Sequence, residues 1–300
     1  MSGDAVDPDA GPGELTCDDV GVLSTARTTL IDTRMAMAYA AAVNDTNPSF
    51  YDDLRPGGVA VHPGICFTLQ WAARYRPDVP LNPRAAAYGV HASTDLRLHR
   101  PFRTGEAVTT QGRVVARRQI RPGVFSLDRY RMVGSDGELI AELDYNGITR
   151  GATLRGADRV IEAEPVAPDP GPLASEPLWS VSVPVPLHLG QQYTECARIY
   201  NPIHTEPSVA RAAGLPGVIL HGSATKAMAL SVVVNRVFDG DAAAVTRLCG
   251  QLRAMVLLDT QITVDCMADR FVDGERRIGF RVRNASGEPA IVDGIVCART

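Results

Sequence analysis

His204 closes the run YTECARIYNPIH that begins at Tyr193, and an imidazole, ionising near neutrality, is well suited to moving protons at physiological pH. The same frame occurs earlier in the chain: Tyr39, Asp45, Asn47, Pro48 and Phe50 align with Tyr193, Ile199, Asn201, Pro202 and His204. One copy therefore carries a carboxylate where the other has Ile199, and the other carries an imidazole where the first has Phe50. A potential acid/base pair is split between two copies.

The repeat extends past this motif. Gly58-Val59 and His62-Pro63 match Gly217-Val218 and His221-Gly222, Leu96-Arg97 matches Leu252-Arg253, and Gly137-Glu138 matches Gly287-Glu288, at offsets that stay between 150 and 159 residues. A near-constant offset across these landmarks indicates tandem duplication of a domain of roughly 130 residues, a size that supports its own core. The chain reads as a pseudo-dimer of residues 26–150 and 181–300, with 1–25 as a flexible lead and 151–180 as a Pro-rich linker.

The elements that must position these residues follow from local pattern. The Ala-rich stretch 34–43 suits a short helix stopped by Asn44-Asp45-Thr46-Asn47-Pro48, and a second helix is expected from Pro63 through Ile65-Cys66-Phe67 to Tyr75. Residues 90–99, 106–118, 124–133 and 138–149 alternate apolar with polar side chains between Gly and Asp turns, the mark of antiparallel strands. Beyond the connector the order returns: helices over 189–198, 207–214 and 223–238, then strands near 246–257, 260–269, 276–284 and 289–298. Helix followed by antiparallel strands, twice, predicts an α+β domain whose sheet wraps its own helix. Edge-to-edge pairing of the two sheets would remove two exposed edges.

Composition narrows the partners. At 45% hydrophobic and 21% charged, 300 residues can bury one large or two medium cores. A net charge of −4 without runs lacks the clustered Lys and Arg that nucleic acid or an acidic membrane surface would require. Lys226 is the one lysine, and the other basic residues are arginines. Six cysteines stand singly without Cys-x-x-Cys spacing, which argues against a metal site and for a reduced, cytoplasmic protein. The first residues are acidic and rich in Gly and Pro, unlike a signal peptide, and no run approaches the ~20 apolar residues of a membrane span.

The segment YNPIHTEPSVARAAGLPGVILHG, from Tyr200 to Gly222, resembles the motif of MaoC-like dehydratases and (R)-specific enoyl-CoA hydratases. In that family Asp, any residue, Asn-Pro, an aliphatic residue and His are followed about twenty residues later by His-Gly. The resemblance covers most of residues 28–150 and 183–298, and it implies a tandem hot-dog fold, no cofactor, and an acyl thioester of CoA or acyl carrier protein as substrate. It also implies that His204 is an acid/base group, that Asn201 orients water, and that the Gly222 amide polarises the thioester carbonyl. The family's Asp falls on Ile199, which can neither take a proton nor hold water.

Each of these residues also has a plain structural role. His204 could order the Asn-Pro turn, Asn201 could cap the turn that follows, and Gly222 could serve close packing. His221 reads first as structural, because His62 holds the same place in a copy with no histidine at position 50. With Ile199, Tyr200 and Ser223 it is expected along the substrate surface. Three readings result: a hydro-lyase working without its usual Asp; a repurposed site for double-bond migration or ring closure, favoured by an apolar wall that excludes water; and a non-catalytic thioester-binding subunit. Association of chains into a further homodimer is compatible with all three.

Overall fold

The strands expected from alternation form the bulk of the structure, a computed structural model that describes residues 11–76, 85 and 87–299. In the N-terminal half, β1 (Glu14–Leu15) and β2 (Arg27–Ile31) precede α1 (Thr33–Ala42), a 3-10 turn at Pro48–Phe50 and α2 (Ile65–Ala72). Four long strands follow: β3 (Gly89–Leu98), β4 (Glu106–Ile120), β5 (Gly123–Gly134) and β6 (Leu139–Arg150). The connector holds β7 (Thr153–Leu154) and β8 (Arg159–Val160). The C-terminal half repeats the order with β9 (Trp179–Val185), α3 (Leu189–Cys196), a 3-10 turn at Pro202–His204, α4 (Pro207–Ala212) and α5 (Gly222–Val237). It ends in β10 (Val245–Leu252), β11 (Thr260–Val272), β12 (Glu275–Arg283) and β13 (Pro289–Arg299).

The long strands join into one 11-stranded sheet whose path runs β2-β4-β5-β6-β3-β10-β13-β12-β11-β9, with β8 added on β4. The seam between halves is the antiparallel pair β3 and β10, where Leu96 lies opposite Leu248 and Arg97 opposite Arg247. Pairing at this seam satisfies the main-chain groups of two strands that would otherwise be open edges. Across it the Arg247 guanidinium grips Asp95 with two bonds, of 2.9 and 2.6 Å. On the inner face α1 packs on α3, and the rings of Tyr39 and Tyr193 meet edge-on with centroids 6.2 Å apart.

Each half wraps its sheet around its own helix, the hot-dog arrangement, and the two in tandem make a double hot-dog. The helix α5 is apolar nearly all round, with Ala227, Ala229, Leu230 and Val233 fully buried, as a helix enclosed by a sheet must be. Lys226 is buried with them and donates from Nζ to the Gly250 carbonyl at 2.6 Å. Its N-terminal counterpart α2 has half the length, 8 residues against 16, and stops at Ala72 rather than reaching Tyr75 as expected.

Two expectations change. Residues 11–25 are not a loose lead: β1 pairs with β7, Val20 bridges to Val114, and the Ser24 hydroxyl accepts from the Gly112 amide at 2.9 Å. Residues 1–10 lie outside the described residues. The connector is anchored to the sheet, with Glu162 paired to Arg113 and Arg129, and the amides of Ala174 and Leu178 donating to the carbonyls of Met267 and Cys266 at 2.8 Å each. No helix among the described residues is long and apolar enough to cross a membrane.

Candidate active site

The loop after α3 is shaped by one left-handed residue. Arg198 takes φ +56°, as Asn44 takes φ +54° at the matching place of the first copy, and the Ile199 amide then turns back to the Thr194 carbonyl at 3.1 Å. Asn201 caps the 3-10 turn by accepting from the Ile203 amide at 3.5 Å, and Pro202 supplies the first turn position, where no amide donor is needed. The turn lies directly on α3: a Cβ added to Gly190 would overlap the His204 carbonyl oxygen. Gly190 was not singled out from the sequence, because a glycine that permits close approach has no motif of its own.

His204 is held in one tautomer. Its Nδ1 lies 2.8 Å from the Ile219 carbonyl oxygen, which can only accept, so Nδ1 carries the hydrogen and Nε2 presents a lone pair. Burial pushes its pKa down to about 4, and the ring is neutral at physiological pH. Its face stacks on His221 with centroids 3.7 Å apart. His221 donates from Nε2 to the Ile199 carbonyl at 3.2 Å, and burial beside His204 pushes its pKa to about 2. His221 is thus a strut between the loop and α5, and its Nδ1 is buried without a partner.

Gly222 opens α5 immediately after His221, with no side-chain cap, so first-turn amides and the positive end of a 16-residue helix face the His204 ring's neighbourhood. A Cβ here would lie 2.5 Å from Leu252 Cδ1 and 3.6 Å from His91 Nδ1. His204, His221 and Gly222 therefore come together, and Asn201 stands at the base of the turn.

The other expected residues are placed differently. Ile199 is 5% exposed and belongs to the main apolar core, so its side chain is packing rather than a surface for substrate. Tyr200 is 58% exposed and its hydroxyl donates to Glu195 at 2.8 Å, opposite to the buried Ile199 beside it, because successive side chains of an extended segment point to opposite sides. The Ser223 hydroxyl accepts from Tyr193 at 3.0 Å in a buried chain that continues to Tyr39 at 3.4 Å.

The split pair stays split. Asp45 accepts from the Asn47 amide at 2.9 Å and from Asn235 at 3.0 Å, which pins it to the far end of α5. Thirteen residues of helix separate Asn235 from Gly222, about 20 Å. A cavity of about 340 Å³ opens beside Asp45, lined by Val183, Met228, Ser231, Asn235 and Arg236 among others. In the first copy Phe50 stands at the loop position of His204, the buried His62 turns its Nε2 to Ser231 of the cavity wall at 3.1 Å, and Pro63 at the position of Gly222 has no amide hydrogen to offer.

Fold and site together define a double hot-dog protein with one histidine-bearing hydratase-type loop. Residues 190–287 match the MaoC like domain, and residues 18–143 match the FAS1-like, dehydratase domain region. The C-terminal half thus carries a MaoC-like domain and the N-terminal half a FAS1-like dehydratase region. It is 27% identical over 160 residues to an enoyl-CoA hydratase of Mycobacterium tuberculosis, ChsH3, a match covering 53% of this chain and 52% of that protein. It is 26% identical over 104 residues to a fatty acid synthase beta subunit of Emericella nidulans, 35% of this chain but 6% of the relative. The chain thus spans about half or less of these relatives. A MaoC-like dehydratase structure from Phytophthora capsici shares the fold over 94% of this chain and 97% of its own, with TM-score 0.78 and 17% identity.

Proposed function

We propose that the protein is a hydro-lyase that interconverts 3-hydroxyacyl and 2-enoyl thioesters, the acyl group being carried by CoA or the pantetheine of an acyl carrier protein. The observation that carries this reading is the pairing of a neutral His204, its Nε2 lone pair exposed by the Nδ1 bond to Ile219, with the uncapped helix start at Gly222. In the hydration direction His204 Nε2 takes a proton from water as the oxygen bonds to Cβ and the double-bond electron pair moves to the thioester oxygen; return of the imidazolium proton to Cα then re-forms the carbonyl and completes the addition. The negative charge that develops on the thioester oxygen is met by the Gly222 amide at the helix N-terminus. The free amide end of Asn201 orients the water. The C-terminal half houses this one site, and the N-terminal half, with Phe50 and Pro63 in place of the imidazole and the amide, serves as acyl-chain wall and sheet partner.

The experiment is a mass-spectrometric assay of wild type and His204→Ala with 3-hydroxyacyl-CoA and 2-enoyl-CoA, following the gain or loss of about 18 Da. Removal of a positioned acid/base group lowers turnover roughly 10² to 10⁴-fold. Interconversion that collapses in the variant while thioester binding persists supports the hydro-lyase. Binding without any water gain or loss would redirect the reading to double-bond isomerisation or ring closure, or to a binding subunit.

A further inference from the structure

His91 stands at the start of β3, in the N-terminal half, just beyond the last β3 residue paired with β10. Its ring is stacked on Tyr145 with centroids 4.0 Å apart, which fixes the ring plane. Nε2 lies 3.1 Å from the Ser93 carbonyl oxygen and 2.7 Å from Thr94 Oγ1. A carbonyl only accepts, so the hydrogen sits on Nε2 and the neutral ring leaves Nδ1 as a bare acceptor. That nitrogen is the atom 3.6 Å from where a Gly222 Cβ would be. Burial first, and then positive charge on Lys226 one turn further along α5, hold His91 well below the usual imidazole range, and it rests as a base.

The start of α5 is therefore flanked by two neutral imidazoles of opposite tautomer: His204, with Nε2 bare, from its own half, and His91, with Nδ1 bare, from across the seam. We propose that His91 is a second acid/base residue of the site, which removes and returns the α-proton of an acyl thioester whose carbonyl is held at Gly222. The inference rests on the acyl-thioester reading of that site. In the step, the Cα–H bond breaks and the proton becomes Nδ1–H of an imidazolium. The electron pair moves to the thioester oxygen, where the Gly222 amide meets the enolate charge, and return of the proton to Cα reverses the step. No other reactant is consumed. The N-terminal half thereby contributes a reacting group, and the carboxylate missing at Ile199 is replaced from a different element.

Butanoyl-CoA has neither a hydroxyl group nor a double bond, so its α-hydrogens report this step apart from water addition. The full chain in deuterium oxide should raise its mass by about 1 Da per exchanged hydrogen, and His91→Asn and His91→Gln should each slow that exchange by about 100-fold or more. Both variants are checked by their unfolding midpoints and by butanoyl-CoA affinity. Absence of exchange with the wild type, which depends on no variant folding, would overturn the proposal, as would exchange at the wild-type rate in either folded variant. Water addition to 2-butenoyl-CoA is measured alongside. If it is absent while His91-dependent exchange persists, the hydro-lyase reading fails alone; if it is present without exchange, this proposal fails alone.

Discussion

A histidine whose Nδ1 donates to a main-chain carbonyl has its reactive nitrogen chosen by the backbone, and at His204 burial also fixes the charge. Water addition that depends on neutral His204 should stay level from about pH 8 to about pH 5 and fall at lower pH with an apparent pKa near 4, which a pH–rate profile would show. Stability follows the same groups with a defined sign. The folded pKa values of His204 and His62, about 4, and of His221, about 2, lie below the ordinary 6.5, so the unfolded chain binds more protons as the pH drops. Their contribution is full above 6.5 and is lost as the pH falls from there towards 4, and further for His221. Urea midpoints should therefore drop between pH 7 and pH 5, and less so in His221→Gln. Placing a carboxylate at position 199, by Ile199→Asp, would put a charge in the apolar core and should lower stability by about 2–5 kcal/mol in denaturant titration, because the Ile199 side chain is buried in that core.

At the level of elements, the packing of α3 against the Pro202–His204 turn sets where the imidazole stands. Gly190→Ala pushes a methyl group into the His204 carbonyl oxygen, and the turn must move because the obstacle is backbone. A displacement of about 1 Å costs on the order of 10²-fold when a reacting group is misplaced, so kcat/KM should fall by about that factor while α3 itself is retained by circular dichroism. The long strands were legible from alternation: β4 and β11 run only a few residues past their expected ends. The sheet-edge strands β2 and β9 were not, because β2 has five residues and β9 mixes Ser180, Ser182 and Pro184 among its valines. The site divided in the same way. His204, Asn201 and Gly222 stand out in the sequence as candidates because they share one linear frame. The outward turn of Tyr200, the burial of Ile199 and the approach of His91 depend on which faces meet across the seam, and a linear pattern does not carry that.

For the whole molecule, the β3–β10 seam determines that there are two unlike halves around one sheet. Asp95 is 8% exposed and holds Arg247 across that seam, so Asp95→Asn leaves a partly buried guanidinium short of its counter-charge. The expected loss is about 1–3 kcal/mol, read as a lower thermal midpoint with both halves melting together. The asymmetry has a countable consequence as well. Calorimetric titration with a tight acyl-thioester analogue should saturate at about one ligand per chain, and saturation at two would mean that the Asp45 end binds too.

Pro63 and Phe50 each occur once per molecule because the two hot-dogs are encoded in a single reading frame. In a dimer of identical chains every substitution is printed twice, and a proline at the helix start or a phenylalanine in the loop would disable both ends together. Fusion lifts that constraint. A change that ends chemistry at one end is survivable as long as the other is spared, and the freed half can be recruited, residue by residue, into the environment of its twin.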